Sequence, residues 1–239
     1  MTHNRVELAV QIGCDIETSK QAIDLAQRFP TVFRATVGYH PEESQDDEDY
    51  SGIMTYESLI LEHRDVIVAI GETGLDYHYL DPVRIEKQKE NQKNWWCMQH
   101  ELAMKYDLPL VIHTRDARGD TIEFIKTEGV THAVMHCFSE DAEFAKELLE
   151  FSDEIYFSFS GILTYKSAQK IQEAAQYIPL SRILIETDAP FLSPQVVRGQ
   201  VNEPGNTRYV LEKLIELRSE TADEIEKTVY ENSKRFYGI

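Results

Sequence analysis

The feature that most constrains the fold is a strict alternation of short apolar runs and amphipathic stretches along the 239-residue chain. The apolar runs are rich in β-branched residues, which is typical of buried strands. The predicted strands are Val6–Gly13, Val32–Gly38, Val66–Gly71, Leu110–His113, Ala133–His136, Ile155–Ser158 and Ile183–Thr187. The predicted helices are Thr18–Phe29, Gly52–Glu62, Ile85–Tyr106, Gly119–Glu128, Asp141–Phe151, Ala168–Tyr177, Asn206–Ser219 and Ala222–Phe236. This alternation predicts a parallel sheet with helices outside it.

Seven strand–helix units without a linker predict one α/β domain of the TIM-type (β/α) barrel class over residues 1–239. Such a barrel has eight units in about 250 residues, so one unit is missing from the pattern. The chain opens directly on a predicted strand, so we expect the gap at the front and hypothesise an N-terminally incomplete barrel. Seven strands would leave unpaired edges at Val6–Gly13 and Ile183–Thr187.

Composition excludes several classes of protein. The chain has 24 basic and 42 acidic residues, a formal charge of −18, which argues against binding nucleic acid through a broad basic face. A hydrophobic content of 42 % is too high for a disordered chain. No apolar run approaches the roughly 18 residues of a membrane span. Three cysteines without a CxxC pair, and an N-terminus without an apolar segment, predict a reduced cytoplasmic protein.

Polar side chains stand where five of the predicted strands end. They are His40, Glu72, His113, His136 and Asp188. In a parallel barrel these ends converge on one mouth. Imidazoles and carboxylates buried together satisfy one another poorly without a cation, and nitrogen and oxygen donors suit Zn²⁺, Mn²⁺ or Mg²⁺. The pattern therefore predicts a divalent-metal site.

Each of these residues also has a structural interpretation. A single histidine at a strand end is more often hydrogen-bonded in the core than bound to a metal. Glu72 could cap a helix or pair with a cation, and Asp188 could cap the turn at Ala189 and Pro190. The coincidence at several strand ends favours the metal site over these separate explanations.

Several segments together resemble the TatD-type metal-dependent deoxyribonucleases, which belong to the amidohydrolase-like barrel superfamily. The segments are Gly38–Pro41, Gly71–Tyr77, Leu108–Asp116, His136–Ser139, Ile185–Pro190 and the loop from Arg198 to Pro204. Their order and spacing fit from about residue 6 to the end of the chain. Each segment is a weak signal alone, and the set in order is a strong one.

The resemblance implies a barrel that binds one or two divalent ions (Mg²⁺, Mn²⁺ or Zn²⁺) and hydrolyses phosphodiester bonds at the 3′ ends of DNA. It implies that Glu72 bridges the metal ions and that His113 and His136 bind the second of them. It implies that Asp188 binds the first ion and orients or deprotonates the attacking water, so that Asp188 and Glu72 are the catalytic pair. The remaining matched positions, implied to support the ligands or contact phosphate, are His40, Arg115, Arg198 and Asn202.

One departure from the family pattern keeps other functions open. The family usually opens with a strand that carries a His-x-His pair, whereas His3 has no partner and precedes the first predicted strand. Without that pair, the first ion keeps only Glu72 and Asp188. The alternatives are a related barrel hydrolase for a lactone, an amide or a small phosphoester, and a non-catalytic member that binds a partner or a nucleic-acid end.

The negative charge also limits the substrate. Because a chain of charge −18 repels long duplex DNA, a single-stranded end or short oligonucleotide is the expected substrate. No membrane association and no obligate protein partner is implied.

Overall fold

The computed structural model describes residues 6–239, so His3 lies outside the described residues. Seven strands occur in this range: β1 Ala9–Gln11, β2 Phe33–Val37, β3 Ile67–Asp76, β4 Leu110–Arg115, β5 Ala133–Met135, β6 Ile155–Phe159 and β7 Ile183–Ile185. The helices are α1 Ile16–Arg28, α2 Pro41–Ser44, α3 Ile53–Glu62, α4 Ile85–Tyr106, α5 Arg118–Glu128, α6 Ala142–Phe151, α7 Gln169–Tyr177, α8 Thr207–Leu217 and α9 Ala222–Tyr237. All seven predicted strands and all eight predicted helices are confirmed.

The described residues divide into two compact units, one of residues 8–134 and one of residues 135–239 with residues 6–7. In the first unit, β1 to β4 pair in parallel in sequence order, with Ala9 opposite Phe33 and Ile70 opposite Leu110. In the second unit, β6 pairs in parallel with β7, and Phe157 lies opposite Ile183. The predicted parallel pairing is thus confirmed for these neighbours.

Strand β3 is the strand that differs most from its predicted bounds. The sequence predicts that it ends at Gly71, but it continues to Asp76 and is buried along all ten residues. A parallel strand covered on both faces is normally a continuous apolar run. The two carboxylates on β3, Glu72 and Asp76, break that rule and must find partners inside the protein.

Helix α4 turns buried amide side chains toward the strand ends. Gln92 is completely buried and accepts from the backbone N–H of Asp76 (2.9 Å) while donating to its carbonyl oxygen (2.7 Å). Gln99 does the same for the backbone of Tyr39, at 2.8 and 3.1 Å, and also donates to Thr73 Oγ1 at 2.8 Å. The helix therefore fixes the backbone on which the polar strand-end residues stand.

The tryptophans of α4 are core residues. Trp96 is fully buried and stacks on Phe124 with ring centroids 3.9 Å apart. Trp95 donates its indole N–H to the carbonyl oxygen of Asp47 at 3.0 Å. Each ring therefore buries a large apolar area where α4 packs on its neighbours.

An aromatic core fills the second unit. The ring of Phe138 lies edge-on to those of Phe157 and Phe159, at centroid distances of 5.2 and 5.7 Å. The buried amide of Asn232 on α9 donates to the carbonyl oxygens of Leu180 and Ile183, both at 2.8 Å, and so fixes the entry to β7.

Within residues 6–239, no helix combines the length and the apolar character needed to cross a bilayer.

We expect Gln92→Leu to lower the free energy of unfolding by about 2–4 kcal/mol, because it leaves both backbone groups of Asp76 buried without partners. Chemical denaturation of the metal-free protein measures this. Gln169→Leu is the matched control, since that side chain is exposed and donates a hydrogen bond to Glu173 on the protein surface. Equal free energies of unfolding for the two variants would contradict the role of Gln92 in holding the backbone of Asp76.

Candidate metal centre

Glu72 is the centre of a polar cluster in the first unit. It lies inside β3 and is 7 % exposed. Its Oε1 is 2.8 Å from His113 Nδ1 and 3.5 Å from His40 Nε2. A carboxylate at this depth is costly unless a positive partner neutralises it. The cluster therefore attracts positive charge, whether a proton or a metal ion.

His113 lies between two carboxylates. Its Nδ1 faces Glu72 at 2.8 Å, and its Nε2 faces Asp76 at 2.9 Å. Burial opposes protonation, but the hydrogen bonds to Asp76 and Glu72 outweigh it and raise the pKa of His113 to about 9. Near neutral pH both ring nitrogens of His113 therefore donate, one to Glu72 and one to Asp76. The positive charge of the protonated ring stands where a metal cation would also be favoured.

His40 reaches the same carboxylate from the loop after β2. Its Nδ1 accepts the backbone N–H of Glu42 at 3.2 Å and so caps α2. The neutral ring therefore carries its proton on Nε2, the nitrogen that faces Glu72. In this tautomer His40 orients Glu72, and it could bind a metal through Nε2 only if the cap were broken.

Close backbone packing and burial position these groups. A side chain at Gly38 would collide with the backbone of Gly71, so a glycine is needed where β2 passes beside Glu72. Gln99 fixes Tyr39, next to His40, and Gln92 fixes Asp76. The loop after β2, strand β3 and helix α4 thus converge on the cluster around Glu72.

The donor set fits a divalent ion. His40, Glu72 and His113 each offer one ligand atom, and these atoms lie within 4.8 Å of one another. Imidazole nitrogen with carboxylate oxygen is a donor set that suits Zn²⁺ or Mn²⁺, and Mg²⁺ where oxygen dominates. The hydrogen bond from His113 to Asp76 matches the carboxylate that commonly orients a metal-binding histidine.

A second histidine–carboxylate cluster lies in the unit of residues 135–239. His136 Nδ1 is 2.9 Å from Glu186 Oε1, and His136 Nε2 is 3.5 Å from Asp188 Oδ1. Glu186 Oε1 also accepts the backbone N–H of Cys137 at 3.0 Å. The predicted ligands His136 and Asp188 are thus brought together, with Glu186 as an additional member.

Cys137 does not supply a nucleophile. Burial is the main cause that raises the pKa of its thiol to about 12, and its Sγ lies 3.1 Å from Ser160 Oγ. The residue is a neutral thiol at physiological pH, so thiolate chemistry is disfavoured here.

The other predicted contact residues lie outside both clusters. Arg115 ends β4 and is exposed. The guanidinium of Arg198 lies 4.5 Å from the ring centroid of Tyr165. Asn202 is buried, donates to the carbonyl oxygen of Phe191 at 2.7 Å and accepts from Asn206 at 2.9 Å. This environment favours a loop-positioning role for Asn202 over direct contact with a substrate.

Sequence reasoning missed two members of the clusters, Asp76 and Glu186. Both belong to segments that carry the family resemblance. The available signal for Asp76 was its even spacing from Glu72, because alternate residues of a strand share a face. It was overlooked because the predicted strand ended at Gly71.

Comparisons with known proteins place the chain in a family of hydrolases. The family model described as "TatD related DNase" matches residues 1–238. An uncharacterized metal-dependent hydrolase of Bacillus subtilis, YabD, is 38 % identical over 98 % of this chain and 89 % of its own length. A second relative, YcfH of Escherichia coli, also described as an uncharacterized metal-dependent hydrolase, is 35 % identical over 90 % of this chain and 77 % of its own length.

Solved structures give the same result. The TatD homolog YJJV of Escherichia coli superposes with a TM-score of 0.89 and 26 % identity, covering 99 % of this chain and 88 % of that one. A TatD family hydrolase of Entamoeba histolytica has a TM-score of 0.83 at 22 % identity, covering 98 % and 86 % of the two chains, and supports the fold alone. The α/β barrel-type fold class predicted from the sequence is confirmed.

The fold and the clustered nitrogen and oxygen donors define the class of metal-dependent hydrolases. Within that class, the chain belongs to the TatD-related DNase family.

We expect Glu72→Gln to lower the affinity for Mn²⁺ or Zn²⁺ more than a hundredfold, because it removes the buried charge between the histidines. His40→Asn keeps a capping side chain and should cost only about tenfold if the histidine orients Glu72. Isothermal titration with each metal measures both affinities. Glu123→Gln, an exposed acidic residue of α5, is the control and should bind like the unmodified chain. Equal losses in Glu72→Gln and His40→Asn would instead make His40 a direct ligand.

The raised pKa of His113 predicts that metal binding releases a proton. Below a pKa of about 9 the ring is protonated, so the ion must displace a proton, and the apparent affinity should rise with pH until that value. Titration at pH 7 in buffers of different ionisation enthalpy measures the number of protons released. Binding without proton release at pH 7 would contradict the assignment of His113 as a ligand.

Proposed function

We propose that this protein hydrolyses phosphodiester bonds at the 3′ ends of single-stranded DNA or short oligonucleotides. The observation that carries the proposal is the buried Glu72–His113–Asp76 arrangement, because it favours a cation at the end of two strands. Membership of the TatD-related DNase family supports the nuclease reaction. The curated relatives are described only as metal-dependent hydrolases, so the nucleic-acid substrate belongs to this proposal.

We assign the residues as follows. Within the first unit, Glu72 and His113 would hold a divalent ion, with His40 and Asp76 fixing their orientation. The family resemblance adds a metal-ligand role for His136 in the second unit. When bound, a divalent ion would lower the pKa of its coordinated water, to about 7 for zinc, and would polarise the phosphoryl oxygen. Asp188 accepts the proton of the attacking water. The identity and number of the ions are left to experiment.

Arginine side chains supply the contact with phosphate. A guanidinium can hold two phosphate oxygens in one plane, which fixes the orientation of the scissile group. Arg115 is exposed at the end of β4, two residues beyond His113, and is the main candidate. Arg198 is a second candidate. The overall charge of −18 disfavours long duplexes and supports a single-stranded end as substrate. The cytoplasmic location expected from the cysteines remains a prediction.

Metal-dependent cleavage should depend on Asp188. We expect the 239-residue chain to shorten a labelled single-stranded oligonucleotide in Mg²⁺ or Mn²⁺, to stop in chelator, and to lose at least about a hundredfold in rate in Asp188→Ala. Asp153→Ala, on an exposed turn, is the control. Chelator-sensitive cleavage that is unchanged in Asp188→Ala would overturn the assigned role.

Arginine variants separate a nuclease from a lactonase when oligonucleotide cleavage and lactone hydrolysis are both measured. Arg115→Ala and Arg198→Ala should slow oligonucleotide cleavage, whereas a lactonase should tolerate both changes. A chain that binds metal but cleaves neither substrate would be a non-catalytic member of the family.

A further inference from the structure

We infer that Tyr79 and Arg115 form a stacking subsite for an unpaired nucleobase beside the metal centre. The inference rests on the proposed function and narrows its substrate to strands whose end nucleotides are unstacked. We call this pair the Tyr79–Arg115 subsite. All of its residues, and those of the neighbouring cluster around Glu72, belong to the unit of residues 8–134.

One carboxylate links the subsite to the metal centre. Asp76 Oδ2 lies 2.9 Å from His113 Nε2, and Asp76 Oδ1 accepts the backbone N–H of His78 at 2.8 Å. In the β3–β4 register Asp76 stands opposite Arg115. The loop that carries Tyr79 is thus tied to the same side chain that holds the metal-site histidine.

The geometry of the pair suits a planar ligand. The guanidinium carbon of Arg115 lies 5.1 Å from the centroid of the Tyr79 ring. His78 meets that ring edge-on at 4.6 Å, and its Nδ1 lies 2.7 Å from Asp116 Oδ2. Tyr79 is nevertheless 62 % exposed. An aromatic ring held from two sides but left open to solvent offers a preformed stacking surface.

Arg115 interacts electrostatically with Asp76 but makes no close ion pair in the described part of the chain. Among residues 6–239, no carboxylate lies within ion-pair distance of it, although the chain has 42 acidic and 24 basic residues. Arg84, by comparison, pairs with Asp46 at 2.7 Å and Asp81 at 3.2 Å. An exposed arginine without a close ion pair in so acidic a chain is available for an anionic ligand.

A surface tyrosine–arginine pair can also be purely structural. Two observations favour a ligand here: the attachment through Asp76 to the metal centre, and the absence of a close ion pair on Arg115 among residues 6–239. A nucleotide matches both halves of the pair, because its base stacks on aromatic and guanidinium planes and its phosphate binds the guanidinium. Stacking tolerates any base and requires an unpaired one, so single-stranded nucleic acid is the ligand class.

Binding to intact and abasic strands tests the inference. Fluorescence anisotropy in chelator would compare a short single-stranded DNA with the same strand carrying abasic residues at its 3′ end. We expect Tyr79→Ala to weaken binding of the intact strand about tenfold, within the range that base stacking contributes. The same variant should bind the abasic strand like the unmodified chain, and Tyr79→Trp should retain base-dependent binding. Tyr177→Ala, an exposed tyrosine of α7, is the control.

The possible results distinguish failure of the subsite from failure of the proposed function. Losses that are equal for intact and abasic strands, no loss in Tyr79→Ala, or no binding of either strand would overturn the subsite. Cleavage of the labelled strand in Mn²⁺ that is indifferent to Tyr79 would leave the proposed function standing and remove the subsite. Base-dependent binding through Tyr79 without any cleavage would support the subsite and contradict the proposed function.

Discussion

The site of the first unit depends on one interaction, a histidine ring held between two buried carboxylates. Glu72 and Asp76 stand on the same buried strand, and His113 bridges them from the neighbouring strand at 2.8 and 2.9 Å. Two carboxylates at this depth would repel each other and lose hydration without a positive group between them. The ring supplies that charge as a proton in the absence of metal, which is why its pKa rises to about 9. The same arrangement leaves a cation as the natural replacement for the proton.

The surrounding structure serves this interaction. Strand β3 keeps its hydrogen bonds as far as Asp76 because Gln92, from helix α4, satisfies both backbone groups of that residue. Asp76 in turn reaches outward to the loop of His78 and Tyr79. A buried amide on a helix, a buried carboxylate on a strand and an exposed aromatic ring thus form one connected series. In the proposed function, this series relates the metal centre to the end of the substrate strand.

Much of the fold was predictable from the sequence because strand and helix periodicities differ. Strands β4 and β6 begin at their predicted residues, Leu110 and Ile155. Helix α4 has both of its predicted bounds, Ile85–Tyr106. The extension of β3 was not predicted, since the glycines, threonine and carboxylates of Gly71–Asp76 have the composition of a loop. Those residues form a strand because the neighbouring strand β4 and helix α4 provide hydrogen-bond partners. Because the predicted strand ended at Gly71, the sequence analysis also missed Asp76, which orients His113.

Local sequence patterns suffice to predict the α/β fold class and the order of the strands along the chain. They also place His40, Glu72, His113, His136 and Asp188 after strands. Three-dimensional contacts are needed to show which nitrogen of His40 faces Glu72, that His113 is shared between two carboxylates, and that Glu186 joins His136. The same contacts place Arg115 near Asp76 without a close ion pair between them. These are contacts between residues distant in the chain, and their free energies depend on burial and distance. Neither quantity can be read from a one-dimensional pattern.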